Sequence, residues 1–178
     1  MTGADRQALL QIARDHMTAH LTGALAAEPL VAGELARRAG GFVTLYAAGS
    51  LRGCIGRIEA DQPVAHVVAQ CAVAVCSRDP RFPPVTPSEL PLLTIELSIL
   101  GAMEALADPE GLEVGRHGLF VELGRRKGLL LPQVATEWSW DARTFLEQTC
   151  VKAGLSVDAW RQGATLWKFE AEVFGEET

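Results

Sequence analysis

Two pairs of short β-rich segments joined by turns, two further strands of alternating pattern and three amphipathic helical stripes predict an α+β fold. The sheets are expected to be mostly antiparallel, with helices flanking them. With 178 residues, 48% of them hydrophobic and 21% charged, the chain is long enough to bury a sizeable core in a single domain spanning 1–178. No repeat, low-complexity tract or evident linker interrupts it, so the elements are read as one compact unit.

The first element is a helix. Thr2 and Asp5 form a capping box, and Leu9, Leu10, Ala13, Met17, Leu21 and Leu25 follow helical spacing. His16 and His20 stand four apart on it, a spacing that can hold a metal, but with no acidic partner motif they are read as exposed helix residues. Residues 42–46, rich in β-branched and aromatic side chains, and residues 51–58 across the turn 47–50 predict a hairpin. Asp61 as cap and Pro63 in the first turn open a second helix. Its stripe is Val64, Val67, Val68, Cys71, Ala72 and Val75, and Cys71 and Cys76 are read as small core residues.

Pro80, Pro83 and Pro84 then forbid helix and leave a stiff extended loop. Residues 86–91 read as a single helical turn. Residues 92–100 read as a strand with Ile95, Leu97 and Ile99 on one face, and with Glu96 between Thr94 and Ser98 on the other. A second hairpin joins 119–123 to 128–131 across the basic tip Arg125-Arg126-Lys127. Pro132 stops that strand. Asp141 caps a helix carrying Phe145, Leu146 and Cys150, and Gly154 stands where a helix-ending glycine belongs. The chain closes on a strand over 165–173, where Trp167, Phe169, Ala171 and Val173 alternate with Lys168, Glu170 and Glu172.

The chemistry concentrates in the hexapeptide Leu51-Arg52-Gly53-Cys54-Ile55-Gly56. In a regular strand, residues two apart share a face, so Arg52 and Cys54 are expected to point the same way. Gly53 and Gly56 on either side of the thiol suggest close approach of another group to the backbone, so the segment reads as the edge of a site. A free thiol is only a few per cent ionised near neutrality, and a neighbouring guanidinium would raise that share. Arg78, Asp79 and Arg81 on the proline loop have two open readings: a cradle for an anionic ligand, or an internal Arg-Asp pair that fixes the loop. His117, in Gly115-Arg116-His117-Gly118, is the most site-like of the four histidines.

A net charge of −6 counts against a nucleic-acid backbone as the main partner. No apolar run nears the roughly 20 residues of a membrane helix. With no visible signal peptide and no disulfide framework among Cys54, Cys71, Cys76 and Cys150, a cytoplasmic protein with reduced thiols is expected. There is no metal-ligand spacing, phosphate loop or Ser-His-Asp constellation, and no cofactor is assigned.

The hexapeptide, Asp79-Pro80-Arg81-Phe82-Pro83-Pro84-Val85, Gly115-Arg116-His117-Gly118-Leu119, Leu130-Leu131-Pro132-Gln133-Val134 and Lys152-Ala153-Gly154-Leu155 occur in one order. Together they resemble the AMMECR domain family, whose prokaryotic members are called AmmeMemoRadiSam system protein A, over nearly the whole chain. The resemblance implies two lobes, one from both chain ends and one from the middle, with the hexapeptide bordering a cleft between them. It also implies Memo-type and radical S-adenosylmethionine proteins as partners, and it supplies no settled reaction. Three readings follow. In an enzyme, Cys54 is a nucleophile or redox thiol, Arg52 stabilises its thiolate, and His117 or Glu96 manages protons. In a binding module, Arg52, Arg78 and Arg81 anchor a small-molecule or peptide ligand, with Asp79, Gly53 and Gly56 lining its place. In a scaffold, the surface docks a partner and the hexapeptide serves folding alone.

Overall fold

The computed structural model describes residues 1–107 and 109–176. The chain divides into two units, one made of Met1–Leu100 with the segment from Glu172, the other of Gly101–Ala171.

In the first unit, helix α1 (Gly3–Thr22) starts at the predicted capping box: Thr2 accepts from the Asp5 backbone, and the Asp5 carboxylate accepts from that of Thr2. It ends at Gly23, whose φ of 73° is a left-handed stop. Leu25 therefore lies beyond the helix and is fully exposed, not part of its stripe. Strands β1 (Gly41–Ala47) and β2 (Ser50–Arg57) form the expected hairpin. Its turn residues Ala48 and Gly49 both take positive φ, 48° and 77°, the backbone whose twist suits a two-residue hairpin turn.

Helix α2 (Val64–Ser77) follows, with Pro63 rather than Asp61 at its start. Asp61 instead accepts two hydrogen bonds from Arg57, at 2.7 and 2.9 Å. A 3₁₀ turn at Leu90–Leu92 leads into strand β3 (Leu93–Leu100). β1 runs antiparallel to both β2 and β3, and the sheet order closes with the last strand on the far side of β3. Val43, Leu45, Ile95, Leu97 and Ile99 pack beneath the α1 residues Leu9, Ala13 and Met17 and the α2 stripe. One face of the sheet is thus core, and the other carries Thr44, Cys54 and Glu96.

The second unit contains the short strand β4 (Glu104–Ala105), the hairpin β5 (Gly118–Leu123) and β6 (Arg126–Leu130), helices α3 (Pro132–Glu137) and α4 (Ala142–Lys152), and strand β7 (Thr165–Phe169). Its order is β4-β7-β5-β6, antiparallel at every pairing. Pro132 does more than stop β6: it opens α3, where a missing N–H and a fixed φ are an advantage. Asp141 caps α4 by accepting from the Thr144 backbone at 2.7 Å. Leu119, Val121, Phe145, Leu146, Cys150 and Leu166 are the centre of this unit's core.

The terminal strand is two strands rather than one. β7 ends at Phe169, and β8 (Ala171–Gly175) belongs to the first unit's sheet. The inward parity changes with the sheet: Phe169 is buried, whereas Val173 is 41% exposed and Phe174 packs on the first unit's core. No described helix is long and apolar enough to cross a membrane.

Candidate functional site

Cys54 lies on β2, at the edge of the first unit's sheet, and half-buried. Its register partner on β1 is Thr44, whose hydroxyl donates to the sulfur at 3.3 Å. Thr44 pairs on its other side with Glu96 of β3, so Cys54, Thr44 and Glu96 form one row across three strands. Tyr46, two residues along the same face, donates to Glu96 Oε1 at 3.4 Å. Glu96 thus lies on the same face as the thiol, at two strand spacings, roughly 10 Å.

Both outward backbone groups of Cys54 are taken. Its N–H donates to Asp79 Oδ2 at 2.9 Å, and its carbonyl accepts from an Arg81 terminal nitrogen at 3.4 Å. Arg81 in turn donates its Nε and a terminal nitrogen to Asp79 at 2.9 and 2.7 Å, and its backbone N–H also reaches that carboxylate. The internal Arg-Asp pair weighed from the sequence is thus formed, and it clips the proline loop onto an edge strand that would otherwise present unpaired groups. The Arg81 guanidinium beside it, with the two backbone donors, holds the Asp79 carboxyl well below the usual carboxylate range.

Arg52 does not face the thiol as strict alternation predicts. Leu45 pairs with Gly53 and Tyr46 with Leu51, which leaves Arg52 as the extra residue of a β-bulge. Its guanidinium turns to Glu89, with Nε to Oε1 at 2.8 Å and a terminal nitrogen to Oε2 at 3.3 Å. Glu89 also accepts from the backbone and hydroxyl of Thr86, at 2.7 and 2.9 Å. The Arg52 pairing, first, and the Thr86 donors lower the Glu89 carboxyl to about 2.

These contacts act on the thiol in opposite directions. Burial pushes the Cys54 thiol up; the Thr44 hydroxyl and the Arg81 charge pull against it, while Asp79 and Glu96 add to the rise. The cation acting on the sulfur is Arg81, not Arg52, and its charge is matched by Asp79. The activation assigned to Arg52 from the sequence is absent from this geometry. Cys71 and Cys76 are buried, as read from their stripe, and burial pushes both to about 11.

The two glycines of the hexapeptide face protein. A Cβ on Gly53 would stand 3.0 Å from Val75 Cγ2, and one on Gly56 would stand 2.2 Å from the Phe42 ring. Close approach was the right inference from the glycines, but the approaching groups are the chain's own side chains. Arg78 parts from its loop neighbours. It is exposed and lines a groove along α2 instead of joining Asp79 and Arg81.

His117 belongs to the second unit and is buried. Its Nδ1 accepts from the Glu113 backbone N–H at 3.0 Å, which fixes the neutral ring with its proton on Nε2. The nearby Arg116 is paired with Glu170 at 2.7 Å and with Glu113 at 3.2 Å. Among the described residues, the side chains hydrogen-bonded to Cys54 are those of Thr44, Asp79 and Arg81. Among the described residues no group of three or more His, Cys, Asp or Glu is placed to hold a metal ion.

Sequence reasoning missed Thr44 and Glu89. Thr44 sits at an outward position between Val43 and Leu45, a detectable signal. Glu89 was hidden because no local pattern announces its partner 37 residues away.

The AMMECR1 family model matches residues 10–174. A protein of Methanothermobacter thermautotrophicus is 43% identical over 95% of this chain and 93% of its own length. One of Methanosarcina barkeri is 40% identical over 99% of this chain and 93% of its own. The crystal structure of an uncharacterised protein from Pyrococcus horikoshii superposes with a TM-score of 0.89 at 39% identity, covering 95% of this chain and 90% of that one. The clipped hexapeptide edge, the two antiparallel sheets and these matches along nearly the whole length lead to one assignment: the chain belongs to the AMMECR1 family.

Proposed function

We propose that this chain is a binding module that presents its 79–89 loop to a small-molecule or peptide ligand, and that Cys54 is a neutral structural thiol rather than a nucleophile. One observation carries the reading: Asp79 and Arg81, bonded to the Cys54 backbone, are committed to holding that loop on the edge of β2. A loop pinned at Asp79, Pro84 and Glu89 has little conformational entropy left to lose on binding. It displays a half-exposed Arg81 guanidinium 5.4 Å from the centre of the Phe82 ring, a surface suited to a carboxylate beside an aromatic or aliphatic group. As macromolecular partners we propose the Memo-type and radical S-adenosylmethionine proteins that the family resemblance implies.

Peptide-resolved alkylation of the native protein across pH tests the state of the thiol. The expected outcome is slow modification of Cys54, with a midpoint above the free-thiol value of ~8.5. Rapid modification near pH 7 that is lost in Arg81→Ala would overturn the reading in favour of a cysteine enzyme. Titration with a purified Memo-type protein tests the loop, and Arg81→Ala is expected to weaken that binding roughly tenfold.

A further inference from the structure

A second place on the first unit has features of a ligand site. α2 presents His66, Gln70, Val73 and Ala74 along one stripe with Arg78 just past its end, and His16 of α1 and Glu28 of the following loop line the same groove of about 550 Å³. That volume is in the range of small-molecule sites. Small side chains, Ala69, Val73 and Ala74, line the groove beside Gln70, so a slender ligand can lie along the helix.

Many arginines of this chain are already committed to carboxylates. Arg6, Arg14, Arg52, Arg57, Arg81, Arg116 and Arg143 each pair with a carboxylate. Glu28 and Arg78 share one groove, yet among the described residues neither forms an ion pair, with the other or with anything else. His16 donates its Nδ1 proton to the Ile12 carbonyl at 2.9 Å, which leaves Nε2 of the neutral ring as an acceptor. The groove therefore offers a guanidinium, a carboxylate and imidazoles beside small apolar side chains.

We infer that this groove binds a small zwitterion, an ω-amino acid or a short peptide, with its carboxylate on Arg78 and its ammonium on Glu28. Guanidinium matches a carboxylate in a two-pronged geometry, and an ammonium is a compact donor suited to Glu28 and to the His16 acceptor. A ligand carrying one charge alone would leave the other anchor unmatched. The site is separate from the 79–89 loop, so either proposal can fail without the other.

Calorimetric titration of the intact protein with 4-aminobutanoate, 6-aminohexanoate, 8-aminooctanoate and trialanine tests it, with hexanoate and hexylamine as single-charge controls. At least one zwitterion is expected to bind with Kd near or below ~1 mM, and both controls at least about tenfold more weakly. Preference within the ω-amino acids or for trialanine distinguishes a metabolite from a peptide. Arg78→Ala and Glu28→Ala should each weaken binding at least about tenfold while leaving the thermal melt unchanged, since both residues are exposed. Arg143→Ala should bind as the wild type. Binding by no zwitterion, equal binding of hexanoate, or full binding by both groove variants would overturn the inference.

Discussion

At the scale of single residues, the thiol drew attention but the arginine beside it is what the fold uses. Arg52 was legible as a special residue. Its direction was not, because alternation assumes a regular strand and the bulge at Arg52 breaks it. The pair it makes has a pH signature. Glu89 titrates at about 2 in the fold against 4.5 when free, so the folded value is depressed. Its contribution to stability is therefore full above about 4.5 and is lost as pH falls through about 2. Glu89 is about one-third exposed, and solvent screening reduces the gain to roughly 1 kcal/mol. Arg52→Ala should lose about that much at pH 7, and its deficit against the wild type should shrink as pH falls from about 4.5 to about 2. Urea denaturation at several pH values measures it, and a deficit independent of pH would mean that Arg52 acts by packing alone. Arg52→Lys should restore little, because an ammonium cannot replace the two-pronged contact.

At the scale of elements, the β1–β2 hairpin shows which local signals survive folding. The hairpin itself and the α2 stripe were readable, because each depends on neighbours in sequence, though the turn read over 47–50 narrows to Ala48 and Gly49. The use of the glycines was not, because Gly56 is required by Phe42, fourteen residues earlier and directly opposite in register. A Cβ at Gly56 would meet the Phe42 ring at 2.2 Å and the Gly41 carbonyl at 2.6 Å. Side chains relax more readily than backbone. Gly56→Ala should therefore cost about 2–3 kcal/mol, and adding Phe42→Leu should recover only part of it, because the backbone clash remains. Thermal melts of the single and double variants decide this. Full recovery would place the whole cost on the ring, and no loss in the single variant would show that the hairpin yields easily. The Asp61 misreading has the same origin: a carboxylate one turn before a helix is a natural cap, yet Arg57 on the preceding strand takes it.

At the scale of the whole molecule, the pattern of elements was sufficient for the α+β class, whereas the division into units was not visible in composition. Along the chain, one residue, Glu170, stands between β7 and β8, which belong to different sheets, and no glycine or proline marks the change there. Read as one strand, 165–173 keeps a plausible alternation, and only the change of inward side from Phe169 to Phe174 reveals two sheets. The division has a mechanical consequence. Gly101–Ala171 is one continuous stretch with its own four-stranded sheet and its own buried cluster, whereas the first unit needs the chain end to supply β8. That chain end also brings Glu176, which pairs with Arg14 and accepts from the Ile95 backbone at 2.8 Å, and Glu172, which pairs with Arg6. A fragment of residues 101–171 should therefore melt cooperatively, at a lower temperature than the whole chain, because so short a domain buries a smaller fraction of its surface. A fragment of residues 1–100 lacks β8 and these carboxylates, leaves β3 as an open edge, and should aggregate or lose cooperativity. Circular dichroism melts of the two fragments measure the difference. A cooperative 1–100 fragment beside an unfolded 101–171 fragment would reverse the assignment of which unit carries its own stability.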